Sequence, residues 1–174
     1  MAEGPAPAPD GRRVTLRPAT ADDRAFLLGV YGTTRADELA LVQWTEGEKR
    51  AFVEMQFDAQ DRHYRGCYPH ASFDAVVVDG EPAGRLYVNR AATEIRIVDV
   101  TILPAHRNRG LGTVLLQRLM DEARATGRAL SVHVEAFNPA RRLYDRLGFA
   151  LVVDRGAHLL LEWRSEVGPA AGTG

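Results

Sequence analysis

One segment limits the fold more than any other: two strand patterns, at residues 94–103 and 130–134, are separated by a long amphipathic helix pattern. The helix pattern ends at Gly127, a residue typical of helix C-termini. Its apolar positions, at helical spacing, are Leu111, Leu115, Leu116, Leu119, Met120 and Ala123. Two strands joined through a helix lie parallel in one sheet with a right-handed crossover, so we expect a parallel strand pair here.

The strands around this unit favour antiparallel pairing. Residues 73–78 and 83–89 flank Asp79-Gly80, a hairpin turn signal. Residues 149–153 and 159–163 close the chain as two further strands. The sequence therefore predicts an α+β fold with a mixed, mostly antiparallel sheet and one central parallel pair, rather than a doubly wound parallel sheet.

A short helix is predicted to open at Asn138, as N-cap, and Pro139 and to end at Gly148. Two to three further helices are predicted before the hairpin. A short strand at residues 14–17 precedes Thr20 and Asp23, which are typical of a helix N-terminus. That helix is expected to pass Val30, and a second helical stretch is expected near residues 35–42. Thr45 and Glu48 form a capping box that opens a helix to about residue 64.

Composition predicts one domain, residues 12–166, between flexible segments at residues 1–11 and 167–174. The chain has 174 residues, 45% of them hydrophobic, and a formal net charge of -1. That charge gives no reason to expect a nucleic-acid partner, and no apolar run is long enough to predict a membrane span. The single cysteine favours a cytoplasmic location, and no His, Cys and Asp spacing predicts a metal site.

A glycine-rich loop precedes the long helix. Two glycines allow close backbone approach, and the helix N-terminus favours an anion such as pyrophosphate. The alternative is a tight turn with solvated arginines. The loop residues are Arg107, Asn108, Arg109, Gly110, Leu111, Gly112 and Thr113.

The strand at residues 94–103 changes its alternation partway. Ile95 and Ile97 are apolar, and then Val98, Val100 and Ile102 are. One extra residue, a β-bulge, would produce this switch and splay the strand from its parallel neighbour. A fully buried central strand, in which alternation carries no information, is the alternative.

Two motifs together resemble the GNAT superfamily of N-acetyltransferases. The first is Arg107-x-x-Gly110-x-Gly112 after a strand, and the second runs from Asn138 through Tyr144 to Phe149. The resemblance is specific over residues 99–149 and follows element order over residues 14–163; residues 57–64, 84–88 and 132–138 resemble one bacterial subgroup. It implies a GNAT-like acyl-CoA N-acyltransferase fold and acetyl-CoA as co-substrate.

The resemblance also implies roles for individual residues. The backbones of Ile102 and Leu103 would pair with the pantetheine arm, and the loop N–H groups from Arg107 to Thr113 would hold the pyrophosphate. Asn138 would hydrogen-bond to pantetheine. Tyr144 would lie near the thioester sulfur as general acid. The chain has one residue fewer between Asn138 and Tyr144 than many family members, and the alternatives are a helix N-cap for Asn138 and a core tyrosine for Tyr144.

The general base is not assigned by the resemblance. Candidates are Glu94, Asp99, His133 and Glu135, and Arg96 stands roughly where some relatives carry a glutamate. We select Asp99 because it lies next to the predicted bulge. The alternative for each carboxylate is a salt bridge.

We predict transfer of acetyl to a primary amine of a small molecule or peptide by direct attack. One alternative is a non-catalytic acyl-CoA-binding module; another, an acetylator of charged tRNA, is disfavoured by the net charge. Either the acceptor or solvent contacts a polar helix face made of Gln56, Gln60, His63 and Tyr64. A homodimer through the strand at residues 159–163 is left open.

Overall fold

The computed structural model describes residues 6–8 and 10–166. Its strands are β1 (Ala6–Pro7), β2 (Arg13–Pro18), β3 (Ser72–Val78), β4 (Glu81–Arg90), β5 (Glu94–Ile102), β6 (Ala129–Glu135), β7 (Ala150–Asp154) and β8 (His158–Trp163). Its helices are α1 (Arg24–Ala40), α2 (Glu46–Cys67), α3 (Leu111–Thr126) and α4 (Arg141–Arg146), with 3-10 turns at Ala21–Asp23 and Pro104–His106.

The strands form one sheet in the order β1-β2-β3-β4-β5-β6-β8-β7. The β5–β6 pair is parallel, and every other neighbouring pair is antiparallel. The predicted α+β arrangement with one central parallel pair is therefore confirmed. The hairpin turn is confirmed as well, since Asp79 and Gly80 have φ angles of 50° and 90°.

A β-bulge lies in β5. Tyr87 of β4 pairs with Asp99 and the next residue, Val88, pairs with Ile97, so Val98 is the extra residue. Pairing between β5 and β6 ends at Ile97, the residue before Val98. The predicted bulge and splay are confirmed, and the alternative of an unbroken buried strand is wrong.

Helices cover both faces of the sheet. Alternate residues of a strand point to opposite faces. Leu86 belongs to the main core together with Leu115 of α3. The neighbouring residue Arg85 instead lies under the ring of Tyr31 in α1, which packs with Phe57 of α2. The bulge of β5 is therefore enclosed by α1 and α2 on one side and by α3 on the other.

The N-terminal helices differ from prediction in their extent. α1 is one continuous helix that includes Gly29 and Gly32. A Cβ on Gly32 would make only an ordinary contact, 3.6 Å from Val53 Cγ1 of α2. Thr20 and Asp23 open a 3-10 turn ahead of α1. The capping box of Thr45 and Glu48 is confirmed, although α2 continues one turn beyond residue 64.

The start of α4 corrects the expected helix boundary. Asn138 is not the N-cap; the helix begins at Arg141, after Ala140. The Asn138 side chain instead accepts a hydrogen bond from the Ala140 N–H at 2.9 Å, closing a turn that contains Pro139. The predicted end at Gly148 is confirmed by its φ of 84°.

The position of β8 limits how a homodimer, which the sequence left open, could use this strand. β8 lies between β6 and β7, so both of its hydrogen-bonding edges are occupied. Pairing of two copies through this strand is therefore excluded, and homodimerisation itself stays untested.

The predicted flexible segments include residues 1–5, 9 and 167–174, which lie outside the described residues. Within the first segment, Ala6–Pro7 pairs with β2. In the described part of the chain, no helix is long and apolar enough to cross a membrane.

Candidate active site

The splay leaves part of the β5 backbone open. Leu103 N–H donates to Ala83 O at 2.9 Å. Antiparallel pairs alternate between bonded and non-bonded positions, so Val100 and Ile102 direct their backbone groups away from β4. On that side the pairing with β6 has already ended. Val100 therefore presents its N–H and C=O groups to a cleft between β5 and β6, and Ile102 presents its N–H, because the Ile102 carbonyl accepts from Arg107.

Leu103 does not share this role, which corrects the expectation for its backbone. Its N–H is bound to Ala83, and its carbonyl accepts from the His106 N–H at 2.9 Å. Both groups of Leu103 are therefore used inside the protein. Val100, which was not among the expected cofactor contacts, has its backbone groups directed away from β4, as Ile102 does.

The glycine-rich loop turns the chain directly into α3. Asn108 and Gly110 have φ angles of 57° and 77°, and Gly110 is the N-cap. No side chain of the described residues caps this helix. The N–H groups of Leu111, Gly112 and Thr113 are therefore available to an anion, which the helix dipole also favours.

Gly112 has a packing role that the motif alone did not indicate. A Cβ at this position would lie 2.9 Å from Leu143 Cδ2. The absence of a side chain thus leaves room for the Leu143 methyl group against the first turn of α3. This contact joins the loop to the helix that carries Tyr144.

The two loop arginines differ. The Arg107 Nε–H donates to Ile102 O at 2.8 Å, which ties the loop to the end of β5. Arg109 is exposed on the loop. Its charge is therefore free to act on a bound anion, whereas Arg107 also has a structural task.

Tyr144 lies inside the main core. It is 3% exposed, and its ring centroid is 5.3 Å from that of Phe149. Burial raises the pKa of the Tyr144 phenol, and the negative charge of Asp99 raises it further. None of the described residues hydrogen-bonds to its hydroxyl, although a purely structural tyrosine usually finds such a partner. The Tyr144 hydroxyl therefore has no hydrogen-bond acceptor among the described residues.

Asn138 is exposed at the end of the turn after β6. Its Oδ1 is used by the Ala140 N–H. Its two amide N–H donors are the groups left for a ligand, so any contact with pantetheine would be made as a donor.

Asp99 is held by a closed set of donors. Its carboxylate accepts from Arg85 Nε and Nη2, both at 2.9 Å, from the Thr101 hydroxyl at 2.9 Å and from the Tyr64 hydroxyl at 3.2 Å. Four hydrogen bonds occupy the lone-pair positions of a carboxylate. Asp99 is therefore better placed to hold the bulge than to take a proton, which favours the salt-bridge alternative over the expected base.

A cavity of about 270 Å³ lies where the splay begins. Its walls come from the end of α2, the bulge of β5 and the end of β6. His63 and Tyr64 line it, whereas Gln60 is bound to Arg85 at 2.8 Å and Gln56 is not among the lining residues. The lining residues are His63, Tyr64, Tyr68, Arg96, Ile97, Val98, His133, Val134, Glu135 and His158.

The other base candidates have distinct environments. Glu94 accepts from Ser131 and from Arg96. His133 Nδ1 lies 3.3 Å from Arg96 Nη1, and because a guanidinium can only donate, Nδ1 accepts. The side chain of Glu135 accepts no hydrogen bond from the residues that the structure describes. Among the carboxylates considered, Glu135 is the one that lines the cavity with free oxygens.

Sequence reasoning missed Arg85 and Gly84. Arg85 is 1% exposed, and a Cβ on Gly84 would lie 2.3 Å from Thr101 O. The signal for Arg85 was a lone charge within an apolar strand, with Asp99 offering the opposite charge on the next strand. Over residues 6–8 and 10–166, no group of three or more His, Cys, Asp or Glu could hold a metal ion.

Comparisons with known proteins agree on one family. The family model described as "Acetyltransferase (GNAT) family" matches residues 34–149. Streptothricin acetyltransferase of Streptomyces lavendulae is 39% identical over 83 residues, which cover 45% of this chain and 44% of that protein. The chain thus matches less than half the length of that curated relative.

Solved structures share the fold. The PaiA N-acetyltransferase of Thermoplasma acidophilum, solved with coenzyme A, has a TM-score of 0.65 at 13% identity over 87% of this chain and 99% of that one. The acetyltransferase YncA of Salmonella typhimurium, solved with acetyl-CoA, has a TM-score of 0.52 at 22% identity over 91% and 99%. Identities this low show similarity of fold alone.

Proposed function

The chain belongs to the acetyltransferase (GNAT) family, and on that premise we propose that it transfers an acetyl group from acetyl-CoA to a primary amine. The observation that carries the proposal is the alignment of two features at one cleft. Val100 offers an open N–H and C=O and Ile102 an open N–H at the end of β5, and the uncapped N-terminus of α3 follows in the chain. The first suits an amide-bearing arm and the second suits a pyrophosphate.

Successive parts of acetyl-CoA have matching groups among the described residues. Val100 and Ile102 would pair with the pantetheine amides, and Asn138 would donate to the same arm. The N–H groups of Leu111, Gly112 and Thr113, with the charge of Arg109, would hold the phosphates. When bound, acetyl-CoA supplies the acetyl group as an activated thioester.

We assign Tyr144 as the general acid. Nitrogen attack on the thioester carbonyl forms a C–N bond and breaks the C–S bond, and the departing thiolate needs a proton. The raised pKa of the Tyr144 phenol keeps it protonated at neutral pH. Its hydroxyl makes no hydrogen bond to another described residue that the transfer would have to break.

We assign Glu135 as the group that receives the proton lost by the amine, directly or through water. Its carboxylate lines the cavity at the end of β6 and is exposed. Asp99, by contrast, already accepts four hydrogen bonds. Replacing Glu135 by Gln is expected to lower turnover while leaving acetyl-CoA affinity unchanged.

The acceptor is proposed to be a small molecule rather than a large peptide. A cavity of about 270 Å³ lies just below the range typical of small-ligand sites, about 300–1,000 Å³, and leaves little room for a large peptide. We further propose that residues 12–166 form the catalytic domain and that it works in the cytoplasm, where the single thiol stays reduced.

A panel of primary amines tests the proposal. Each amine is incubated with acetyl-CoA, released thiol is measured, and the N-acetyl product is identified by mass spectrometry. Streptothricin belongs in the panel because the curated relative is named for it. Acetyl-CoA binding with no thiol release for any amine would instead support a non-catalytic acyl-CoA-binding module.

A further inference from the structure

The polar groups that face the cavity are unevenly distributed. Arg96 projects from β5 into it, with one N–H bound to Glu94 at 2.9 Å and another to His133 Nδ1 at 3.3 Å. The Tyr68 hydroxyl also interacts with Arg96. A guanidinium carries five N–H donors, so these three contacts still leave further donors. The side chain of Arg96 is 23% exposed, which leaves a ligand access to it.

His133 is a second donor. Because Arg96 donates to Nδ1, the neutral imidazole carries its proton on Nε2. Burial lowers the pKa of His133, and the positive charge of Arg96 lowers it further, so the neutral ring is the form present at neutral pH. The ring therefore offers one N–H donor beside the guanidinium.

The nearby carboxylates leave N–H donors of Arg96 unused. Glu94 is the counter-ion of Arg96, with an N–O distance of 2.9 Å, and offsets part of its charge; Glu94 also accepts from Ser131, which is fully buried. Asp99 is used by Arg85, Thr101 and Tyr64. The remaining carboxylate, Glu135, lies at the exposed end of β6. The cavity is thus polarised, with donors around Arg96 and a free acceptor at Glu135.

We propose that the acceptor is a small amine that also carries a carboxylate, with Arg96 and His133 binding the carboxylate. This inference rests on the proposed acetyl transfer. A planar carboxylate with two oxygens matches the fork of a guanidinium. The amine would lie towards Glu135, the group assigned to take its proton. Amino acids and related small amino carboxylates are the substrate class that fits.

The test compares each of the common amino acids with its carboxamide and its decarboxylated amine. We expect the best free acid to exceed its own carboxamide in kcat/KM by roughly 10- to 150-fold, the value of one charge-assisted hydrogen bond. Arg96→Gln is expected to abolish that preference, and His133→Phe to reduce it. Arg164→Gln, which removes an exposed arginine outside the cavity, serves as the matched control. An aminophosphonate analogue that is preferred to the carboxylate would overturn the assignment of the anion.

Calorimetric titration with acetyl-CoA distinguishes failure of the proposed function from failure of this inference. If the wild type does not bind acetyl-CoA, the proposed function itself is overturned. Normal binding, together with equal rates for acids, carboxamides and decarboxylated amines, would overturn only this inference. If no free acid is turned over, the affinity for N-acetyl amino acids is measured instead, in the wild type and in Arg96→Gln. Equal affinity in the two proteins, or no binding to either protein, would overturn the inference. Should Arg96→Gln fail to fold, the His133→Phe variant gives the same comparison at an exposed residue.

Discussion

Arg85 and Asp99 form a two-pronged ion pair inside the protein, with both N–O distances at 2.9 Å. Their side chains are 2% and 12% exposed. Asp99 directly follows Val98, the extra residue of the bulge. Arg85 also donates to Gln60 of α2. The pair therefore joins the bulge of β5, the neighbouring strand β4 and the helix that forms one wall of the cavity.

Breaking this pair should cost much more stability than breaking an exposed one. Arg85→Met leaves the Asp99 charge buried without a cation, for which about 3–5 kcal/mol of unfolding free energy is typical. Arg164→Met, which breaks an exposed pair with Glu162, should cost no more than about 1 kcal/mol. Urea denaturation measures both. Similar small losses in the two variants would mean that the buried pair does not hold the bulge.

Gly84 allows β4 and β5 to approach at the end of the cleft. A Cβ at this position would lie 2.3 Å from Thr101 O and 3.1 Å from Ile102 Cα, both of them backbone atoms. Gly84→Ala should therefore destabilise the protein by at least about 1–3 kcal/mol. Gly29→Ala, in the open interior of α1, should stabilise it by about 0.5–1 kcal/mol. Thermal unfolding of the two variants checks the opposite signs; a stabilising Gly84→Ala would contradict the close approach.

Substitution of the two loop arginines should affect ligand binding differently. Arg109→Gln is expected to weaken coenzyme A about tenfold or more and to leave pantetheine unchanged, because only the first ligand carries phosphates. Arg107→Gln should weaken both, since it also releases the loop from Ile102. Calorimetric titration with the two ligands measures this. An equal loss of both ligands in Arg109→Gln would show that Arg109 only supports the loop.

Much of the fold could be predicted from the sequence because local signals and the overall topology agree. The change in alternation after Ile97 predicted the bulge, and the capping box at Thr45 predicted the start of α2. The start of α4 was not predictable in the same way, since Asn138 closes a turn as readily as it caps a helix.

The candidate site was less predictable where it depends on contacts between distant residues. Nothing local shows that Leu103 has both backbone groups occupied, by Ala83 and His106. Likewise, Asp99 is an ordinary carboxylate in the sequence, and only the fold surrounds it with donors from β4, α2 and its own strand. The motif residues could be named in advance, but their hydrogen-bond partners could not.

The pH dependence of the reaction should reflect the environment of Tyr144. Burial, and then the Asp99 charge, raise the pKa of its phenol above the usual value of about 10. The protonated, active form should therefore persist beyond that pH, and kcat should show no fall below pH 10 from loss of this proton. Rates measured between pH 7 and pH 10 at saturating substrates check this. A decline centred well below pH 10, absent in Tyr144→Phe, would contradict the raised pKa.

The central claim is that Tyr144 supplies the proton for acetyl transfer from acetyl-CoA, and kcat of Tyr144→Phe tests it most directly. The substitution keeps the ring against Phe149 and removes only the hydroxyl, so folding should be nearly unchanged. With an accepted amine at saturation, kcat should fall about 10²- to 10⁴-fold while the Kd for acetyl-CoA stays close to the wild-type value. Turnover like that of the wild type would contradict the claim, because it would leave Tyr144 as a core residue of an acyl-CoA-binding fold.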